Sequence, residues 1–200
     1  YEMNDEEFFQ GVKKFVDLGV SIVGGCCGTN ETFIKKICDN IDKLQKKEPK
    51  RRKSTIVCSA AKYIDIKGPT IVGERLNPTG RKLLIDAYVS GNNDYVINLA
   101  LEQSNEGSEI LNVNVGVPDL DEEKTMKRVI KGIQEVVDVP LQLDSSNVKA
   151  LEAGLRYYNG RTIVNSVNGK EKSLETILPI VKKYGACVVG LTLDENGIPS

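Results

Sequence analysis

Two adjacent thiols, Cys26 and Cys27, sit in the run Gly24-Gly25-Cys26-Cys27-Gly28-Thr29. Neighbouring thiols at the end of a strand can both turn to one soft metal ion, and flanking glycines let the backbone bend to allow it. Zinc held by three thiolates keeps a fourth position for substrate, and a thiol bound there deprotonates and becomes a nucleophile at neutral pH. The pair is also open to a plainer reading, as two small apolar side chains in a core. No third ligand stands nearby, and Cys38 falls in a helical stretch. A second set of residues is dispersed: Glu74 and Asn77 in IVGERLNPTGRK (71–82), Asn112 and Asn114 in LNVN, Asp144 in LQLDSSN, and Asn165 in TIVNS. Carboxylates and amides of this kind suit a flat heterocycle whose edge offers an amino group and a ring N–H to a carboxylate, and a carbonyl to an amide. Any one of them could instead cap a helix or satisfy a loop backbone.

The elements that must position these groups follow from apolar periodicity. Residues 4–19 predict a helix, with Asn4 capping, Glu7 reaching back to it, Phe8, Val12, Phe15 and Val16 on one face, and Gly19 at the end. VSIVGG (20–25) predicts a strand buried on both faces. A second helix is expected over 29–44, carrying Phe33, Ile34, Ile37 and Ile41. Helix–strand–helix is the unit that closes an α/β barrel. The polar, basic run QKKEPKRRKST (45–55), broken by Pro49, reads as a solvated linker and not a nucleic-acid stripe, because no aromatics interleave its cations. Residues 59–69 read as a lead-in with one short strand.

From residue 70 the pattern alternates. Strands are expected at 70–74, 109–116, 140–144, 161–166 and 186–193. Between them fall helices: two over 81–106, split at Gly91-Asn92-Asn93; one capped by Asp121 and bearing Met126, Val129, Ile130 and Ile133; one capped by Asn147 and bearing Val148, Leu151 and Leu155; and one bearing Leu174, Ile177, Leu178 and Val181 that ends at Gly185. Short connections between alternating strands and helices mean parallel strands. Glu74, Asn112, Asn114, Asp144 and Asn165 stand at or near the carboxyl ends of successive strands, which converge on one face of a (β/α)₈ barrel. A doubly wound sheet would use only its switch point, usually with a glycine-rich phosphate turn, and no G-x-G-x-x-G or P-loop pattern occurs. A barrel is therefore expected, of which the chain holds five strands.

Composition narrows the function. The net charge of −1 provides no overall attraction to nucleic acid or membrane, and no apolar run approaches the ~20 residues that span a bilayer. Histidine is absent, which removes Ser-His-Asp and Cys-His mechanisms and His-ligated metals. Five cysteines without a secretory signal read as reduced, cytoplasmic thiols. The acidic start, lacking an initiator Met, reads as a piece of a longer polypeptide.

GGCCGTNETFI resembles the end of the homocysteine-binding barrel of methionine synthases and related homocysteine methyltransferases. That resemblance implies that Cys26 and Cys27 are zinc ligands, completed by a third cysteine upstream of Tyr1, and that zinc activates the homocysteine thiol. Residues 68–200 resemble the pterin-binding domain shared by cobalamin-dependent methionine synthases, corrinoid protein methyltransferases and dihydropteroate synthases. It implies pterin contacts at Glu74, Asp144 and Asn165, with Asn77 and Asn112 nearby. The family pattern L-D-V-N reads Leu111-Asn112-Val113-Asn114 here, which removes a charge. The expected architecture is α/β: the last βα unit of one TIM-type barrel (1–44), a linker (45–67) and the first five βα units of a second, pterin-binding barrel (68–200). The implied activity is transfer of the N5 methyl of 5-methyltetrahydrofolate, via cobalamin on a domain or protein outside this chain, to homocysteine, with Asn165 catalytic. The alternatives are a corrinoid-protein methyltetrahydrofolate methyltransferase, a dihydropteroate synthase, which the cysteine pair argues against, and a non-catalytic folate-binding module.

Overall fold

The computed structural model describes residues 3–45, 47 and 54–198. The chain divides into two units, Tyr1–Lys53 and Ser54–Ser200.

In the first unit α1 spans Asp5–Asp17. Asn4 accepts from the Glu7 N–H at 2.9 Å while the Glu7 carboxylate accepts from the Asn4 N–H at 3.1 Å, the reciprocal cap that the sequence predicts. Phe9, Val12 and Val16 form the buried stripe, whereas Phe15, expected on that face, is 57% exposed. α2, Glu31–Cys38, is capped by Asn30 and buries Ile37 beside α1. Phe33 meets Phe8 edge-on at 5.4 Å between ring centroids. The single helix expected to reach residue 44 stops early: Asn40 turns its amide back to the Lys36 carbonyl (2.9 Å), and a 3₁₀ turn, Ile41–Lys43, follows. Residues 20–25 form no strand, contrary to expectation. A strand buried on both faces needs paired neighbours, and the described residues of this unit contain no other strand; Ile22 is 90% exposed.

The second unit opens with an antiparallel hairpin, β1 (Thr55–Cys58) and β2 (Tyr63–Ile66), inside the stretch expected as linker 45–67. Most of the basic run 45–55 lies outside the described residues. Then come β3 (Val72–Leu76), α3 (Lys82–Ser90), α4 (Asn93–Asn105), β4 (Ile110–Asn114), α5 (Glu122–Gln134), β5 (Leu141–Asp144), α6 (Val148–Tyr157), β6 (Ile163–Asn168), α7 (Glu171–Tyr184) and β7 (Cys187–Leu191). Gly91, at φ 77°, ends α3 in the left-handed region, and Asn92 caps α4 by accepting from Tyr95. Asp121 and Asn147 cap α5 and α6, as the sequence predicts.

β3 to β7 pair in parallel in the order of the sequence, with no reversal. Alternate strand residues Leu111, Val113, Leu141, Leu143 and Val164 pack with Met126, Ile130, Ile133 and Leu151 of the helices. The intervening residues point the other way, as strand geometry requires. On that opposite face, Ile110 and Ile163 pack against Val57 of the hairpin, with Cys187 and Val189 alongside. The hairpin is fastened to the start of β6: Cys58 and Arg161 exchange backbone bonds of 2.8 and 2.9 Å, and Arg161 Nη1 donates to the Ile56 carbonyl at 3.0 Å. No helix among the described residues is long and apolar enough to cross a membrane.

Candidate functional site

The face turned away from the helices becomes polar toward the carboxyl ends of the strands. Asn114 is the ladder partner of Asp144, and Asp144 of Asn165. Partners in a parallel ladder project on the same side, so two amides and a carboxylate line up across β4, β5 and β6. One level nearer the hairpin, Asn112 pairs with Gln142.

Asn112 is wholly buried. Its Nδ2 donates to Asp144 Oδ2 at 3.0 Å, and its Oδ1 accepts from Gln142 Nε2 at 2.7 Å. Both ends of that amide are thus committed within the protein, and the structure does not bring Asn112 to an open surface. Asp144 is half-buried, and its Oδ1 takes no hydrogen bond from the described residues. Asn114 folds back on its own loop, accepting from the Gly116 N–H at 2.8 Å. Asn165 is half-buried, its side-chain amide takes no hydrogen bond from the described residues, and its peptide bond to Ser166 is cis. Asp144 and Asn165 line one cleft of about 430 Å³ where the strand ends meet the helices, shared with Val148 of α6 and Ser173, Thr176 and Ile177 of α7.

Glu74 and Asn77 form a separate pair at the end of β3. Asn77 Nδ2 donates to Glu74 Oε1 at 2.8 Å, and Asn77 Oδ1 accepts from the Thr79 N–H at 3.1 Å, which fixes the turn into α3. Glu74 is exposed. Val72 is the partner of Ile110, but the ladder shifts register between Gly73 and Leu76, so Glu74 stands in the irregular stretch without a partner on β4. Among the described residues, no hydrogen bond joins this pair to Asp144 or Asn165. Of the five expected positions, the structure therefore brings together Asn112, Asp144 and Asn165, and separately Glu74 and Asn77.

Gln142 went unnoticed in the sequence. Its signal was available: a polar residue two positions before Asp144, on the same side of a strand otherwise made of Leu141 and Leu143.

In the first unit Cys26 and Cys27 are exposed thiols whose Sγ atoms are 3.8 Å apart. Two thiolates on one tetrahedral zinc, with Zn–S of about 2.3 Å, stand about 3.8 Å apart. The donor chemistry and the spacing both fit zinc. Among the described residues, no group of three or more Cys, His, Asp or Glu gathers to complete a metal site. All five cysteines are free.

Residues 73–197 match the family described as pterin binding enzyme, and residues 1–41 match the homocysteine S-methyltransferase family. The methionine synthase of Mycobacterium tuberculosis is 28% identical over 98% of this chain, and that of Mycobacterium leprae is 26% identical over 98%. The chain spans only 17% and 18% of the length of those relatives. Among solved structures, a dihydropteroate synthetase with a product aligns over 70% of this chain and 51% of its own, at 14% identity and a TM-score of 0.44.

Proposed function

Because this chain belongs to the pterin-binding enzyme family, we propose that its second unit holds the pterin of 5-methyltetrahydrofolate for a methyltransferase. That enzyme moves the N5 methyl group, through cobalamin, to homocysteine and forms methionine. In this reading residues 1–44 end a homocysteine-binding barrel, 45–67 connect, and 68–200 provide the first five βα units of a TIM-type pterin barrel. The carrying observation is the ladder Asn114–Asp144–Asn165 across three neighbouring strand ends, on the face that the helices leave free. Strand order without reversal supports a barrel, since a doubly wound sheet reverses at its switch point.

Asp144 accepts from the amino group and ring N–H of the pterin through Oδ1, the carboxylate oxygen that no donor among the described residues occupies. Glu74 and Asn77, held by their mutual hydrogen bond, flank the ring from β3. A tertiary amine leaves poorly until it is protonated, so the site must favour N5 carrying a proton. The Asn165 amide oxygen would accept that N–H as the methyl group departs, Asn165 being one of the residues that line the cleft. Cobalamin, held outside this chain, supplies the nucleophile for the methyl group. Cys26 and Cys27 would hold zinc with a further ligand from elsewhere, and zinc bound there lowers the pKa of the homocysteine thiol.

Isothermal titration of the protein with 5-methyltetrahydrofolate is the test of the pterin site. A folded protein that gives no binding heat at any accessible concentration would overturn it. For Asn165, rapid mixing with reduced corrinoid is expected to show slower methyl transfer in Asn165→Ala; an unchanged rate would remove it from the chemistry.

A further inference from the structure

Gln142 is nine-tenths buried, yet it neither caps a helix nor lines the cleft. It sits two residues before Asp144 on β5 and directly across the ladder from Asn112. The three side chains form a line: Gln142 Nε2 to Asn112 Oδ1 at 2.7 Å, then Asn112 Nδ2 to Asp144 Oδ2 at 3.0 Å.

The order of donors along this line is forced. An amide has one donor end and one acceptor end. An ionised carboxylate only accepts, so Asn112 must show it the NH₂ group, and the Asn112 oxygen then points at residue 142. Burial denies that oxygen a water molecule in exchange. Only a donor at 142 completes the arrangement, and an acceptor there would pull the Asn112 amide over and set its oxygen against Asp144.

We propose that Gln142 is a positioning residue for ligand recognition by Asp144. By holding the Asn112 amide in one sense, it keeps Oδ2 of Asp144 engaged from inside the protein. Oδ1 is left without a donor from the described residues, ready to accept the N–H groups of a pterin. The ligand in this inference rests on the pterin reading; the donor order does not.

Gln142→Glu and Gln142→Leu test it, with the side-chain ¹⁵N–¹H₂ signals of Asn112 followed by NMR in the ligand-free protein. In Gln142→Glu the ionised carboxylate accepts where the native amide donates, so the Asn112 signals are expected to shift and to exchange with solvent about tenfold faster at neutral pH. In acid the introduced carboxyl group is protonated and donates as glutamine does, and the signals return toward those of the wild type. Affinity for 5-methyltetrahydrofolate, taken relative to the wild type at the same pH, follows the same course: about tenfold weaker at neutral pH, with the deficit closing in acid. Gln142→Leu, which can do neither, is expected to lose affinity by about threefold with the pH profile of the wild type. Asn112 signals in Gln142→Glu that match the wild type at every pH overturn the proposal. So do equal, pH-independent losses in both variants, the mark of a packing role alone. If Gln142→Glu does not fold, Asn112 exchange in Gln142→Leu decides, and a rate equal to that of the wild type overturns the proposal. Wild-type protein that binds no methyltetrahydrofolate would sink the pterin reading and leave the Asn112 signals to judge this one.

Discussion

The side-chain amide of Asn112 donates to Asp144 across 3.0 Å, tying β4 to β5 beneath the strand ends. The resemblance to pterin-binding proteins leads one to expect aspartate at 112, in contact with ligand. Here the residue is buried, so asparagine supports a neighbouring carboxylate from inside. Asn112→Asp would set two carboxylates at hydrogen-bond distance with no water between them. Its stability at neutral pH is expected to fall by about 1–3 kcal/mol. The loss shrinks in acid, because the folded pair shares a proton that it holds more tightly than the unfolded chain does. Stability is thus present at low pH and disappears as pH rises. Urea midpoints measured across pH check this, and a pH-independent deficit would contradict it.

Asp144→Asn separates charge from shape. The amide can still accept from Asn112 through its oxygen, so the fold should persist. What is lost is a charge-assisted bond to the ligand, about 1.5–3 kcal/mol, or roughly ten- to a hundredfold in affinity for 5-methyltetrahydrofolate. Calorimetric titration against the wild type reads it, and equal affinities would show that Asp144 does not face the pterin.

The thiol pair makes a claim that its neighbour can test. Cys26 and Cys27 are 3.8 Å apart, whereas Cys38 ends α2. Competition with a chromogenic chelator is expected to show zinc affinity falling by about tenfold or more in Cys26→Ser or Cys27→Ser and unchanged in Cys38→Ser. The same value in all three variants would mean that zinc is held elsewhere or adventitiously.

Gly160 sits where the hairpin meets β6, and a Cβ there would stand 2.1 Å from the Cys58 carbonyl oxygen. Backbone cannot yield as a flexible side chain can. Gly160→Ala should therefore lift β1 from its bonds to Arg161 and cost about 1–3 kcal/mol. A thermal midpoint equal to that of the wild type would show that the hairpin seat is loose.

Five strands, their intervening helices and most caps were legible in the sequence because each was written locally. Met126, Val129, Ile130 and Ile133 repeat at helical spacing and are all buried, and Asn4, Asp121 and Asn147 cap where expected. The failures were matters of partnership. Residues 20–25 carry an apolar strand pattern but find no strand to pair with among the described residues of their unit. Of residues 55–66, the short strand expected within 59–69 is β2, but its partner β1 falls in the run read as linker, and together they cover Ile110 and Ile163. The site divides in the same way. Polar residues at strand ends announced Asp144 and Asn165, but register decides which side chains meet, and only register reveals Gln142 behind Asn112. Asn112 and Asp144 look alike in the sequence, and one is wholly buried while the other lines a cleft.

Two buried tyrosines set an alkaline limit on the second unit. Burial pushes the Tyr88 phenol far above its usual range, with the Arg128 charge opposing only in part, and its hydroxyl donates to the Leu76 carbonyl at 3.2 Å. Tyr158 is raised as well, chiefly by burial, while it donates to the Cys58 carbonyl at 3.0 Å and accepts from the Leu141 N–H at 3.2 Å. Tyr157 shifts the opposite way through the hydrogen bond and charge of Lys127, but it is only half-buried, so solvent screens the effect. A tyrosine raised in the folded state keeps its proton where the unfolded chain, with a pKa of about 10, gives it up. Stability is therefore full below pH ~10 and falls above it by about 1.4 kcal/mol per pH unit for each tyrosine so held. Tyr88→Phe removes one of the two and should roughly halve that slope, at the cost of about 1 kcal/mol for the lost bond to Leu76. Urea unfolding between pH ~8 and ~11 measures both quantities; a variant whose stability declines as steeply as the wild type's would show that Tyr88 reaches solvent before the fold opens.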